Sequence, residues 1–166
     1  PKVSARAGIN TAQVVVGYMG SEKSQISFTC MGDGVNLASR LEGANKEYGT
    51  DLMVSDATYQ KAKDRVVARF LDFLAVKGKK EPVKVHNLIC EKGKEPPDWL
   101  EFIALYDQAI QLHLDRKWDE AIATFEALLA RWPGDGPSKT YIQRSQEYKQ
   151  NPPSANWDGS YHLTHK

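Results

Sequence analysis

Residues 31–42, MGDGVNLASRLE, carry the pair of side chains best suited to chemistry in this sequence. Gly32, Asp33 and Gly34 form a turn signal after the apolar-rich run ISFTCM. A helical pattern starts at Val35, with Leu37, Leu41 and Ala44 on one face. Asn36 and Arg40 stand four residues apart and are therefore neighbours on the opposite, polar face. A fixed amide beside a guanidinium fork, both carried on a rigid helix next to a turn, suits a phosphate whose charge must be held in one geometry. Spacing alone leaves a second reading open, an exposed helix face that carries Asn and Arg without function.

The elements that must position this pair follow from pattern. Val3, Ala5, Ala7 and Ile9 alternate with polar neighbours, as a half-buried strand does. Residues 13–19, with the run VVV, and residues 25–31 flank a Gly-containing loop and read as a hairpin. Gly49 suits the C-cap of the helix that carries Asn36 and Arg40. A short buried strand is expected at residues 51–55, then a short helix at 56–65 with Ser55 or Asp56 as its N-cap. Strands follow at 68–76 and 82–89, separated by the basic turn VKGKKEP that holds Lys77 and Lys79. Residues 91–97, EKGKEPP, turn sharply to charge and proline and read as a linker.

Beyond it the pattern is helical. Phe102, Leu105, Tyr106, Ala109 and Ile110 make one apolar stripe. Trp118, Ala121, Ile122, Phe125, Leu128, Leu129 and Trp132 make a second, and Trp118 and Trp132 read as packing residues. PGDGP at 133–137 breaks the pattern, and residues 138–150 supply a third helix. This order of elements predicts an α+β domain over residues 1–91, a linker over 92–98, a small all-α module over 99–151 and a solvated tail over 152–166.

Composition narrows the function. The chain is 41% apolar and 26% charged with net charge +1, which gives no electrostatic case for nucleic acid or an anionic membrane. No apolar run approaches the roughly 20 residues of a membrane span, and no signal-peptide pattern is present. A cytoplasmic setting is expected for this portion. Cys30 and Cys90 lie in apolar, strand-like runs without CxxC spacing and are expected to be buried free thiols. His162 and His165 are too isolated for metal ligation. Pro1 in place of Met suggests that the sequence begins inside a longer chain.

The run GINTAQVVVGYMGSEKSQISFTCMGDGVNLASRLEGANKEYGT, residues 8–50, closely resembles the second half of the class III nucleotidyl cyclase catalytic domain, and the similarity continues to about residue 91. The resemblance implies part of a ferredoxin-like fold, antiparallel strands with helices. It implies that Asn36 orients the ribose and that Arg40 stabilises the α-phosphate in the transition state. The base-selecting position, seven residues before Asn36, is Thr29, which favours ATP over GTP. A lysine of the KGK turn, Lys77 or Lys79, is implied to bind the β- and γ-phosphates. Family members act as homodimers with two divalent ions, Mg²⁺ or Mn²⁺. The two Asp residues that hold those ions are expected upstream of Pro1, together with a base-pairing Lys. Asp33 is then a turn residue, not a metal ligand.

In the family the turn before the first hairpin strand usually reads INTG. Here it is INTA, and Ala12 adopts positive φ less freely than glycine. Trp118, Ala121, Phe125 and Pro133 resemble the second half of a tetratricopeptide repeat. One repeat cannot bury its own apolar face, so it should dock on the cyclase body or on a second copy. The segment NWDG at 156–159 resembles an ending common after such helices in bacterial cyclases, whose longer chains often carry sensor and membrane segments upstream.

The expected function is the C-terminal part of an adenylate cyclase, converting ATP to 3′,5′-cyclic AMP and pyrophosphate and inactive by itself. Guanylate cyclase, a non-catalytic regulatory cyclase domain, and a peptide-docking helical module are the rival readings.

Overall fold

A computed structural model describes residues 4–20, 26–75 and 81–162. The first strand, β1 (Ala7–Ile9), is shorter than the alternation in the sequence suggests. Its length is set by its partner: β1 pairs in parallel with β4 (Leu52–Ser55), Ala7 opposite Leu52 and Ile9 opposite Val54. Between them lie the ribbon of β2 (Val15–Met19) and β3 (Ser27–Met31), which is antiparallel as expected, and helix α1 (Asp33–Tyr48). This pairing is parallel because the chain crosses over through α1 before it returns, while β4 and the strand Val66–Ala75 each pair antiparallel with the strand Val83–Glu91.

The main sheet runs β1-β4-β6-β5-β7. After β4 comes α2 (Asp56–Ala62), capped by the Ser55 side chain, which accepts from the Thr58 N–H. Strands β5 (Val66–Ala75) and β6 (Val83–Glu91) then form a long antiparallel hairpin. Leu37, Leu41, Ala44 and Tyr48 of α1 pack on Met53, Leu71, Leu74 and Val85 of the sheet. Gly49 ends α1 at φ 63, where a side chain would be strained.

Residues 92–98 lead to three helices, α3 (Trp99–Leu114), α4 (Trp118–Arg131) and α5 (Gly136–Gln150). Asp135 caps α5 by accepting from the Ser138 N–H, and Pro137 sits in the first turn, where its missing N–H costs nothing. Phe102, Tyr106, Ala109, Ile110, Ala121, Phe125, Leu128 and Tyr141 form a second core. Trp132 borders it half-buried, and the half-buried Trp118 packs on His113 and Tyr148. The helices dock on the cyclase-like body of the same chain, through α5 against α1 and α3 against β5.

That junction is polar and buried. Arg69 of β5 pairs with Asp135 at 2.7 Å, its guanidinium stacked over Tyr106. Asp72 of β5 pairs with Arg144 of α5, and Tyr141 donates to the Leu71 carbonyl at 2.9 Å. Burial pushes the Asp72 carboxyl up against the pull of the Arg144 charge, and burial with the Asp72 charge pushes the Tyr48 hydroxyl up as well.

Residues 152–162 of the tail are held against the body and not free in solvent as the sequence suggested, and His165 lies outside the described residues. Arg116 donates to the carbonyls of Pro153, Ser154 and Ala155. Trp157 packs on His113, Trp118 and Tyr148, and β7 (Tyr161–His162) joins the sheet in parallel with β5. The edge of β5 offers unpaired backbone groups, and the tail pairs with it at its C-terminal end, opposite Leu74 and Ala75. Among the described residues no helix is long and apolar enough to cross a membrane.

His113 gives this fold an acid limit. It is buried, with Nδ1 2.7 Å from Ser145 Oγ, and burial with the Arg144 charge brings its pKa down to about 3. A depressed folded-state value leaves stability intact above the unfolded pKa near 6.5. As pH falls below that, the unfolded chain takes up the proton first, at a cost of about 1.4 kcal/mol per pH unit. Urea unfolding compared at about pH 7.5 and about pH 5 should show a loss about 2 kcal/mol larger in the native sequence than in His113→Gln. Equal losses would mean that the imidazole is already charged in the fold.

Candidate nucleotide-binding helix

Helix α1 is held to the sheet along its apolar face by contacts that leave little freedom. A Cβ on Gly8 of β1 would lie 2.2 Å from the Ala38 oxygen and 2.3 Å from the Glu42 nitrogen, so backbone meets backbone there. Asn45 is fully buried; its Nδ2 donates to the carbonyls of Ala7 and Leu41, each at 3.0 Å, and its Oδ1 accepts from Thr50 at 2.8 Å. At the N-terminal end Asn10 Nδ2 donates to the Gly34 carbonyl at 3.1 Å. Asn36 and Arg40 stand on the opposite, exposed face, one turn apart, as their spacing required.

Thr29 lies in β3, exposed, opposite Gly17 of β2. Cys30 is exposed too, not buried as expected, because every residue of β3 is exposed: the ribbon has no second layer among the described residues. Both cysteines are free thiols, and Cys90 is half-buried. Lys77 and Lys79 lie outside the described residues. The strands on either side of their turn do pair, Leu74 opposite Val83. Ala12 is tolerated in INTA because the turn does not use positive φ there; among the described non-glycine residues only Asp98 and Arg116 have it. Ala12 packs instead against Gly34, where an added Cβ would come within 2.5 Å of the Ala12 methyl.

A cleft of about 480 Å³ opens beside the N-terminus of α1, lined in part by Asn10, Gln13, Asp33, Ser55, Asp56 and Lys84. Thr29, Asn36 and Arg40 are not in its lining, so this cleft and the candidate pair are separate features. At the cleft wall His86 Nε2 meets Asp56 Oδ1 at 2.8 Å, with Tyr59 stacked on the imidazole at 4.3 Å. Burial lowers the His86 pKa against the pull of Asp56. Burial pushes the Asp56 carboxyl up, but hydrogen bonds from His86 and Gln60 outweigh it and leave the carboxyl low. Sequence reasoning passed over this pair, since a helix-opening Asp and a strand His thirty residues apart share no local pattern. Among the described residues no three His, Cys, Asp or Glu side chains group to hold a metal ion.

Residues 1–89 match the adenylate and guanylate cyclase catalytic domain, and the chain belongs to that family. The terminal-differentiation specific adenylate cyclase of Dictyostelium discoideum is 32% identical over 146 residues, 86% of this chain and 7% of that protein. Its match therefore runs past residue 89 into the helices. Adenylate cyclase 1 of Rhizobium meliloti is 40% identical over 89 residues, 54% of this chain and 13% of that protein. The adenylyl cyclase CyaB of P. aeruginosa, a solved structure, is 32% identical with a TM-score of 0.45, covering 54% of this chain and 44% of that one. The chain thus spans under a fifth of the length of these curated relatives. Cyclic nucleotide biosynthesis is the business of the family.

The contact of Gly8 with α1 is directly testable. Gly8→Ala must push α1 off the sheet and should destabilise the chain by about 3 kcal/mol in urea unfolding. A change below about 1 kcal/mol would show that β1 and α1 are not packed backbone to backbone.

Proposed function

We propose that this chain supplies the ribose and α-phosphate side of an adenylate cyclase site completed by a second catalytic domain in a dimer. The observation that carries the reading is the pairing of Asn36 and Arg40 on the exposed face of a helix whose other face is locked to the sheet. In the reaction the ribose 3′-hydroxyl attacks the α-phosphorus in line with the departing pyrophosphate. Asn36 holds the ribose so that the hydroxyl points at phosphorus. Arg40 meets the charge that builds on the α-phosphoryl oxygens, with a fork that matches two of them.

Thr29 reads the base, and Lys77 or Lys79 takes the pyrophosphate end. Mg²⁺ or Mn²⁺, when bound by carboxylates outside residues 1–166, would neutralise charge on the attacking and leaving oxygens. We read α3 and α4 as a single tetratricopeptide-like pair within a module at 99–151. Guanylate specificity is the second reading, favoured by the exposure of Cys30 beside Thr29. Consecutive strand residues point to opposite faces, so only one of the two can face a base.

In the longer enzyme Arg40→Ala should lower kcat about 10²-fold, the scale of losing one preorganised electrostatic partner. Unchanged kcat would reduce the helix face to bystander surface. The 166-residue chain alone, given ATP with Mg²⁺ or Mn²⁺, should make no cyclic AMP; turnover in that assay would refute the division of the site between two domains.

A further inference from the structure

Helix α1 ends on Tyr48, and there the helical segment grips it. The buried Tyr48 hydroxyl donates to Asp72 Oδ2 of β5 and accepts from Arg144 Nη2 at 3.0 Å. Arg144 Nη1 donates to the same carboxylate oxygen, and its guanidinium lies over the Tyr161 ring, 3.4 Å from the centroid. Two backbone contacts accompany the knot. Thr140 Oγ1 donates to the Glu47 carbonyl at 3.0 Å, and a Cβ on Gly136 would fall 2.1 Å from the Tyr48 oxygen. Tyr48, Asp72 and Arg144 are 0%, 2% and 5% exposed, so water cannot substitute for any of these bonds.

An α-helix is stiff, and at 1.5 Å per residue Asn36 lies about 18 Å from Tyr48. The contacts to β1 press one face of α1 on the sheet. Asn10, Asn45 and the close approach of Gly8 hold the helix along its length, and the directional bonds at Tyr48 add a fixed point at its C-terminal end that opposes both turning and sliding. We propose that Arg144 is a positioning residue for α1: by clamping the Tyr48 hydroxyl against Asp72 it sets the rotation of the helix, and with it the placement of Asn36 and Arg40. As a statement about catalysis this rests on the role given above to those two residues; as a statement about coupling it does not. The Dictyostelium relative, whose match extends into the helices, keeps the two parts together in one chain.

Tyr48→Phe is the informative variant. It keeps the ring in the core and the Asp72 to Arg144 pair, and removes only the atom that joins them to α1. Arg144→Lys keeps the charge but loses the fork. Nitrogen-15 NMR of the 166-residue chain reads the helix through the Asn36 side-chain amide, the Arg40 Nε–H and backbone amide exchange. Both variants should displace the Asn36 and Arg40 signals and speed exchange at residues 44–49 about tenfold, leaving α4 unchanged. A folded Tyr48→Phe chain with both signals unmoved would overturn the proposal and leave Arg144 as a docking contact only. Should Arg144→Lys fail to fold, Tyr48→Phe decides alone. Displaced signals combined with an unchanged kcat in Arg40→Ala would sustain the coupling and remove its catalytic meaning, so the two readings fail separately.

Discussion

The carboxylate of Asp72 and the guanidinium of Arg144 are both shut away from water, and the way the two parts of the chain meet depends on that pair. Burying two ions costs several kcal/mol each, and mutual attraction offsets this only where the remaining donors and acceptors are filled. Here they are filled from four directions. The Tyr48 hydroxyl and the Phe73 N–H donate to Asp72, while the rings of Tyr48, Tyr141 and Tyr161 surround the guanidinium. No sliding of α5 along the sheet preserves this set. The second pair, Arg69 with Asp135, fixes the other end of α5 but is less complete, since Arg69 Nη1 and the neighbouring Tyr106 and Ser138 hydroxyls lack hydrogen-bond partners among the described residues. Two directional anchors on one helix define its axis, which apolar packing alone does less sharply.

Much of the fold was legible because it is written locally. The apolar stripe of Leu37, Leu41 and Ala44, the Gly49 cap, the β2–β3 ribbon and the three helices all obey periodicity or turn chemistry that a short window contains. Arg144 and Asp72 are 72 residues apart, and in the polar run QRSQEYKQ nothing marks Arg144 as buried. Tyr161 and Trp157 looked like solvated tail for the same reason: their partners come from α3, α4, α5 and β5. Cys30 failed in the opposite direction. An apolar strand pattern predicts a covering layer, and the described residues do not provide one for β3.

The site divides along the same line. Spacing alone put Asn36 and Arg40 on one face of a helix, and the structure has them there; their chemical roles came from family resemblance and not from geometry. The pairing of His86 with Asp56 beside the cleft left no trace in the sequence, although Asp56 itself stood out as a candidate helix cap. The buried His86, stacked on Tyr59 and bonded to the partly buried Asp56, holds the start of α2 against β6, which is a sufficient reason for the pair to exist.

Asn36 and Arg40 are exposed, and their placement depends on the backbone beneath them. An exposed Arg carries about 2 kcal/mol of rotamer entropy, which must be given up when it meets a ligand. What can be fixed beforehand is the helix. Thr29 shares that dependence, because β3 reaches α1 through Gly32 alone. Gly32 has φ 141, and its carbonyl accepts from the Val35 N–H at 3.0 Å. A Cβ there would meet nothing closer than 3.8 Å, so the glycine is required by its backbone conformation and not by space. The angle between the ribbon that carries Thr29 and the helix that carries Arg40 is therefore held by one residue whose φ other side chains rarely adopt. A base contact and a phosphate contact made from these two elements would be coupled through that hinge, and a change at position 32 would disturb both together.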